Sequence, residues 1–210
     1  MSSKPSSTGE LILRTAEELF ATKGIDAVSL NEINKAAGQR NTSSLHYHFG
    51  SKEGLIQAIV YTHYAEIETW LQRGLDELEA GGWFTTRQLV ETVTAPFIHK
   101  LHSQSGIHYL RIVTQLLNKS ADMLIVGHPA QEDRARVRVF ALFDRVSGGM
   151  PDDVRIARIV LFSSLLFHSL ASFAQFEESG KGNPLGSEEF FAGNLREMLV
   201  AMIAAPINRI

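Results

Sequence analysis

The sequence predicts an all-α protein, with a three-helix helix-turn-helix head followed by a larger helical bundle. Three observations carry that prediction. Apolar residues recur at three- and four-residue spacing from Ile12 to Ile203, no stretch alternates with period two over strand length, and glycines and Ser/Thr clusters fall where helices need stops and caps. The chain has 210 residues, 44 % hydrophobic and 20 % charged, enough to bury a core and too apolar for intrinsic disorder. No internal repeat is visible.

The first helix is expected over about 8–23, with Ile12, Ala16, Leu19 and Phe20 on one face and Gly24 as its stop. A second starts at Ser29, which has capping-box spacing to Glu32, buries Leu30, Ile33 and Ala37, and ends at Gly38 as a left-handed cap. Leu45 and Phe49, four apart, anchor a very short third helix. Ser51 caps the fourth, whose stripe Leu55, Ile59, Ile67, Leu71, Leu75 and Leu78 runs to Gly81-Gly82. Further helices are expected over 85–102, 107–119, 129–146, 152–178 and 187–204, with Pro129 in a first turn and Pro96 as a kink.

The absence of cysteine removes disulfides, thiol catalysis and cysteine-ligated metal, and fits a reducing cytoplasm. The start of the chain, Met1 to Gly9, is polar and lacks the apolar core of a signal peptide. The apolar run from Ile159 to Phe176 is long enough for a membrane span, but its serines, His168 and Gln175 favour a protein interior or an oligomer interface, so no membrane contact is expected. Net charge is −3, and over residues 1–60 six Lys/Arg balance six Asp/Glu, so no basic coat marks the head.

Residues 29–49 have the layout of a helix-turn-helix: a capped helix, a turn after glycine, and a second helix rich in short polar side chains. A helix that enters a major groove about 12 Å wide needs such side chains outward and apolar ones inward. Asn41, Thr42, Ser43, Ser44, His46, Tyr47 and His48 meet the first need, Leu45 and Phe49 the second, and Arg40 stands in the turn.

The runs Leu30-Asn-Glu-Ile33, Ala36-Ala-Gly38 and Leu45-His-Tyr-His-Phe49-Gly-Ser-Lys52-Glu-Gly-Leu55 resemble the DNA-binding domain of the TetR (tetracycline repressor) family, over about residues 8–68. The turn Gln39-Arg40-Asn41 is one residue longer than the common pattern, and His46 stands where tyrosine is usual, with Tyr47 following. The resemblance implies an all-α homodimer that binds a near-palindromic operator in double-stranded DNA through its third helix. It implies release when a small-molecule effector occupies the C-terminal domain, here 69–210. It also makes Tyr47, His48 and Lys52 candidate phosphate or base contacts, and Ser29 can offer a hydroxyl and backbone N–H groups to a phosphate.

In the C-terminal part, Trp70, Phe97, His108, Arg111, Gln115, Phe167 and His168 combine aromatic bulk with hydrogen-bonding tips, the chemistry of an effector pocket. The helices over 152–178 and 187–204 are too apolar for the surface of a small monomer, so both are expected in a homodimer interface. His99 and His102 lie three apart without a supporting third ligand, so no metal is expected. No phosphate loop, Gly-x-Ser-x-Gly elbow or His-Glu-x-x-His motif occurs, and neither catalysis nor a cofactor is expected. The alternative reading is a helical ligand-binding adaptor or enzyme without specific DNA binding.

Overall fold

The computed structural model describes residues 7–39, 43–119 and 134–207. These residues are all-α. The head comprises α1 (Ser7–Lys23), α2 (Leu30–Ala36) and α3 (Ser43–Phe49), and is joined by the 29-residue α4 (Lys52–Ala80) to the body. The body comprises α5 (Thr86–His99), a 3-10 turn at Lys100–His102, α6 (Gln104–Lys119), α7 (Arg134–Val146), α8 (Asp152–Glu178) and α9 (Glu188–Ala204). Pro129 and the expected start of its helix lie outside the described residues.

Local chemistry explains most of the boundaries. Ser29, Ser51, Thr85 and Ser187 each accept a backbone N–H from the first turn of the helix that follows. At Thr85 the Gln88 side chain returns the bond, completing a capping box; after Ser29 the Glu32 carboxylate pairs with Lys23 at 2.6 Å. α2 closes in a Schellman motif: Gly38 has φ 65°, its N–H bonds Lys35 O, and the Gln39 N–H bonds Asn34 O at 2.9 Å.

Two boundaries differ from the sequence expectation. The helix expected over 85–102 tightens to a 3-10 turn after His99, soon after Pro96, which supplies no N–H. α6 begins at Gln104 rather than Ile107, because Ser103 is its cap and takes the Gly106 N–H at 3.1 Å. A polar stretch that reads as a separator is thus a helix start. Gly106 has a further role there, since a Cβ at this position would lie 2.1 Å from Lys100 O. Only glycine lets α6 cross the preceding turn so closely.

Two apolar cores result. Ile12, Ala16, Phe20, Ile33, Leu45, Leu55 and Ile59 fill the head, and Ile112 and Leu116 of α6 join them. Ile67, Leu71 and Leu75 of α4 pack instead in the body, with Leu89, Leu110, Leu166, Leu170 and Leu199. The changeover therefore falls within α4, between Ile59 and Ile67.

Gly106→Ala forces this crossing apart and is expected to cost about 1–3 kcal/mol, read as a clear fall in Tm. Asn34, 3 % exposed in α2, has neither its side-chain oxygen nor its nitrogen bonded. Asn34→Leu, which keeps the branched shape without unpaired polar atoms, is expected to raise Tm instead.

Candidate DNA-binding face, joint and ligand cavity

α3 is pinned from beneath by Leu45, which is fully buried, while Phe49 packs against the edge of the head core. That arrangement turns Tyr47 outward to 86 % exposure, its ring edge-on to His48 at 5.1 Å. His46 is exposed, but its Nδ1 donates to Gly50 O at 2.8 Å, tying down the last turn of α3. Ser44 is half-buried, and Ser29 is exposed with its hydroxyl engaged as a cap. Lys52 lies in the first turn of α4 with Nζ 5.7 Å from the Phe20 ring centroid. Arg40, Asn41 and Thr42, and the side chain of Ser43, lie outside the described residues. Ser29, Ser44, Tyr47, His48 and Lys52 are thus all placed on the head, at or near its helix-turn-helix.

The joint between head and body is polar and buried. Glu17 of α1, His63 of α4 and His108 of α6 are each less than 9 % exposed. Ser105 Oγ donates to Glu17 Oε1 at 2.6 Å, and His63 Nε2 lies 3.4 Å from Oε2. Gln104 Nε2 donates to Glu178 and, at 3.2 Å, to His108 Nε2. The His108 proton therefore sits on Nδ1, which faces Glu17 Oε1 at 3.9 Å. Burial pushes the Glu17 carboxyl up, but the hydrogen bonds from His63 and Ser105 and the nearby imidazoles outweigh it and hold Glu17 below its ordinary value. For His108, burial wins over the attraction of Glu17, and its proton affinity is lowered.

A second attachment lies along α6. Gln115 Oε1 accepts the Ile25 N–H at 2.7 Å while its Nε2 donates to Phe20 O at 3.0 Å. Its side chain thus acts as a cap for the end of α1 and the turn after it. Lys119 pairs with Asp26 beside it.

The body encloses a cavity of about 220 Å³ between α4, α5, α6, α7 and α8. Its wall is mostly apolar, with Val93, Phe97, Val113, Phe143, Phe162 and Phe167 among the lining. Of the seven residues expected at an effector pocket, Phe97 and Phe167 line this cavity. The other five point their polar tips elsewhere. Trp70 is 43 % exposed and packs on His99; His108 belongs to the joint; Arg111 pairs with Glu178; Gln115 grips α1. His168 bonds Ser164 O and Asn118 Oδ1 and borders an outer groove between α8 and α9. His102 and His99 bond each other, and His102 also bonds Glu188; among the described residues no group of three metal-ligating side chains occurs.

Sequence reasoning missed Glu17, His63 and Ser105. The signal existed for the first two: Glu17 interrupts the stripe Leu13, Ala16, Phe20, and His63 the stripe Ile59, Ile67. It also missed most of the cavity wall, for which no signal exists, because an apolar side chain at helical spacing lines a core or a cavity alike.

Residues 12–59 match the family model described as bacterial regulatory proteins, tetR family. Solved structures with a similar fold include Salmonella enterica GusR, 23 % identical, with 96 % of this chain and 97 % of that one covered and a TM-score of 0.58. A tetR-family regulatory protein from Rhodococcus RHA1 is 14 % identical, with 97 % and 100 % covered and a TM-score of 0.59. A TetR regulator from Legionella pneumophila is 20 % identical, with 94 % and 97 % covered and a TM-score of 0.51. At these identities the likeness is one of fold.

The joint predicts a stepwise response to acid. The folded state holds His108 neutral, so its penalty is absent above the ordinary histidine value of 6.5 and grows as pH falls below it. Glu17, depressed in the fold, contributes fully above its ordinary value of 4.5 and loses that contribution in stronger acid. Tm is therefore expected to fall first below about pH 6.5 and again below about 4.5. His108→Gln should flatten the first fall and spare the second; an unchanged profile would contradict the assignment.

Proposed function

We propose that this chain, whose residues 12–59 match the tetR family of bacterial regulatory proteins, is a transcriptional regulator of that family: a dimeric repressor released from its operator by a small molecule. The observation that carries the DNA-binding part is the posture of α3, whose Leu45 is buried while Tyr47 projects into solvent. Tyr47, His48, Ser44 and Lys52 then contact bases or phosphates, with Ser29 at the start of α2 on the flanking backbone. On their sequence alone, Arg40, Asn41, Thr42 and Ser43 are further contacts in this proposal.

Dimerisation through α8 and α9 is supported by their outer faces. α8 is long and apolar enough to cross a membrane by length and composition, yet it packs on α6 and α9, and Leu161 is 57 % exposed. Phe190 on α9 is 66 % exposed, with Phe176 and Met198 also turned outward. Pairing these faces around a two-fold axis buries them in a four-helix interface. Two α3 helices would then meet half-sites about 34–36 Å apart, one helical turn of DNA.

Ligand response is supported by the place of α6. Tyr109, Val113 and Leu116 line the cavity, while Ile112, Leu116 and Gln115 hold the head. A ligand that favours a shifted α6 favours a shifted head, and the two recognition helices no longer match successive grooves.

Gel shift with the DNA upstream of the protein's own gene is the direct test; no specific binding by ligand-free protein would refute the proposal. Tyr47→Ala is expected to weaken specific binding at least tenfold while leaving Tm unchanged, since the side chain touches little of the protein. Because the head is neutral, the slope of log K against log salt is expected to be shallower than about −9, the value for ten phosphate contacts per dimer.

A further inference from the structure

The charged residues of the cavity wall are unevenly placed. Arg136, Asp144, Arg155 and Arg158 all lie on α7 or in the first two turns of α8, so one end of an otherwise apolar chamber is cationic. The lone aspartate is already engaged. Asp144 faces Arg155 at 3.6 Å, and Arg155 also bonds Asp152 at 2.6 Å.

Arg158 is different. It stands one turn before Phe162 on the cavity-facing side of α8, and its two terminal nitrogens donate to the carbonyls of Ile203 and Ala205 at the end of α9. Those contacts fix the guanidinium in place but bring no formal negative charge, and no carboxylate among the described residues pairs with it. Only two of its five N–H groups are used this way. A half-buried cation, held rigidly beside apolar walls, gains most from an anion that arrives with its own apolar body. A cation would meet the Arg158 guanidinium and find the one aspartate occupied.

From this arrangement we infer that the cavity takes an apolar monocarboxylic acid, its carboxylate set against Arg158 and its body among Phe143, Phe162, Val113 and Phe167. At about 220 Å³ the chamber is smaller than the usual range of about 300–1,000 Å³ for ligand pockets. The body is therefore a single ring or a medium-length chain. This ligand class rests on the reading of the cavity as the effector site.

The test is titration calorimetry with two matched series: octanoate, octanamide and octylamine, then 4-phenylbutyrate, 4-phenylbutanamide and 4-phenylbutylamine. Wild type, Arg158→Lys and Arg158→Met are compared, and each compound is also added to the operator gel shift. The acid of at least one series is expected to bind about tenfold more tightly than its amide, and the amine more weakly than either. Arg158→Lys should keep that preference, and Arg158→Met should erase it while leaving amide affinity within about twofold. Equal binding of acid and amide, equal loss of both in Arg158→Met, or no acid binding up to millimolar concentration would overturn the inference. If Arg158→Met does not fold, the wild-type acid-to-amide ratio and its retention in Arg158→Lys decide. An acid that binds with the expected preference but leaves the operator complex intact would overturn the effector reading and leave the ligand class standing. Release by the amide as readily as by the acid would do the reverse.

Discussion

α6, like α4, serves two cores. α6 sends Ile112 and Leu116 into the head and Leu110, Tyr109 and Val113 into the body, so neither core is closed without it. Such a helix has little surface left for water, and its polar side chains are committed to neighbours instead. Ser105 bonds Glu17 on α1, Arg111 pairs with Glu178 on α8, the Thr114 hydroxyl is shared between Leu110 O of its own helix at 2.8 Å and Phe167 O at 3.3 Å, and Gln115 satisfies both a donor and an acceptor of the α1 end. At Glu17 and at the end of α1 these bonds replace water at groups that would otherwise be left unpaired in the joint. The head therefore follows α6 as a body rather than hinging freely on α4.

The same joint settles the electrostatics of a head with no net charge. Three of its six acids are engaged away from α3. Glu17 is buried against α6, Asp26 is paired with Lys119 of the body, and Glu32 is paired with Lys23. An overall balance of six against six thus hides an uneven distribution, in which acids serve the joint and the turns. A neutral domain can present a surface that does not repel phosphate, and specificity then depends on fit more than on total charge.

The helices, their caps and the inward and outward faces of α3 were legible in the sequence, because they depend on neighbours within four residues. The Ser103 cap of α6 was not, since its polar run, containing Gly106, reads equally as a linker; what decides is the close crossing over Lys100, a tertiary fact. The pocket was legible only in part. Aromatic and polar residues at helical spacing point to a binding site by their chemistry, yet His108, Arg111 and Gln115 spend their polar tips on joining elements. Phe97 and Phe167 do reach the cavity, in company with aliphatic residues that no pattern separates from core. The charge on the apolar stripe of α1, at Glu17, was the stronger clue: a carboxylate there must be met by donors from another element.

α8 closes the argument, because its faces are divided among the same tasks. Phe162, Leu166 and Phe167 border the cavity, Leu161 and Leu165 lie on or toward the outer face proposed to meet a second copy, and the Phe167 carbonyl lies 3.3 Å from the Thr114 hydroxyl of α6. A rigid helix cannot shift one face and keep the others fixed. If a partner copy holds the outer face, a change in cavity volume falls on the contact with α6. α6 in turn carries the head through Gln115 and Glu17. Under the proposed function, a displacement of α6 at the cavity would change the spacing of the two recognition helices, the quantity by which a dimer matches successive grooves.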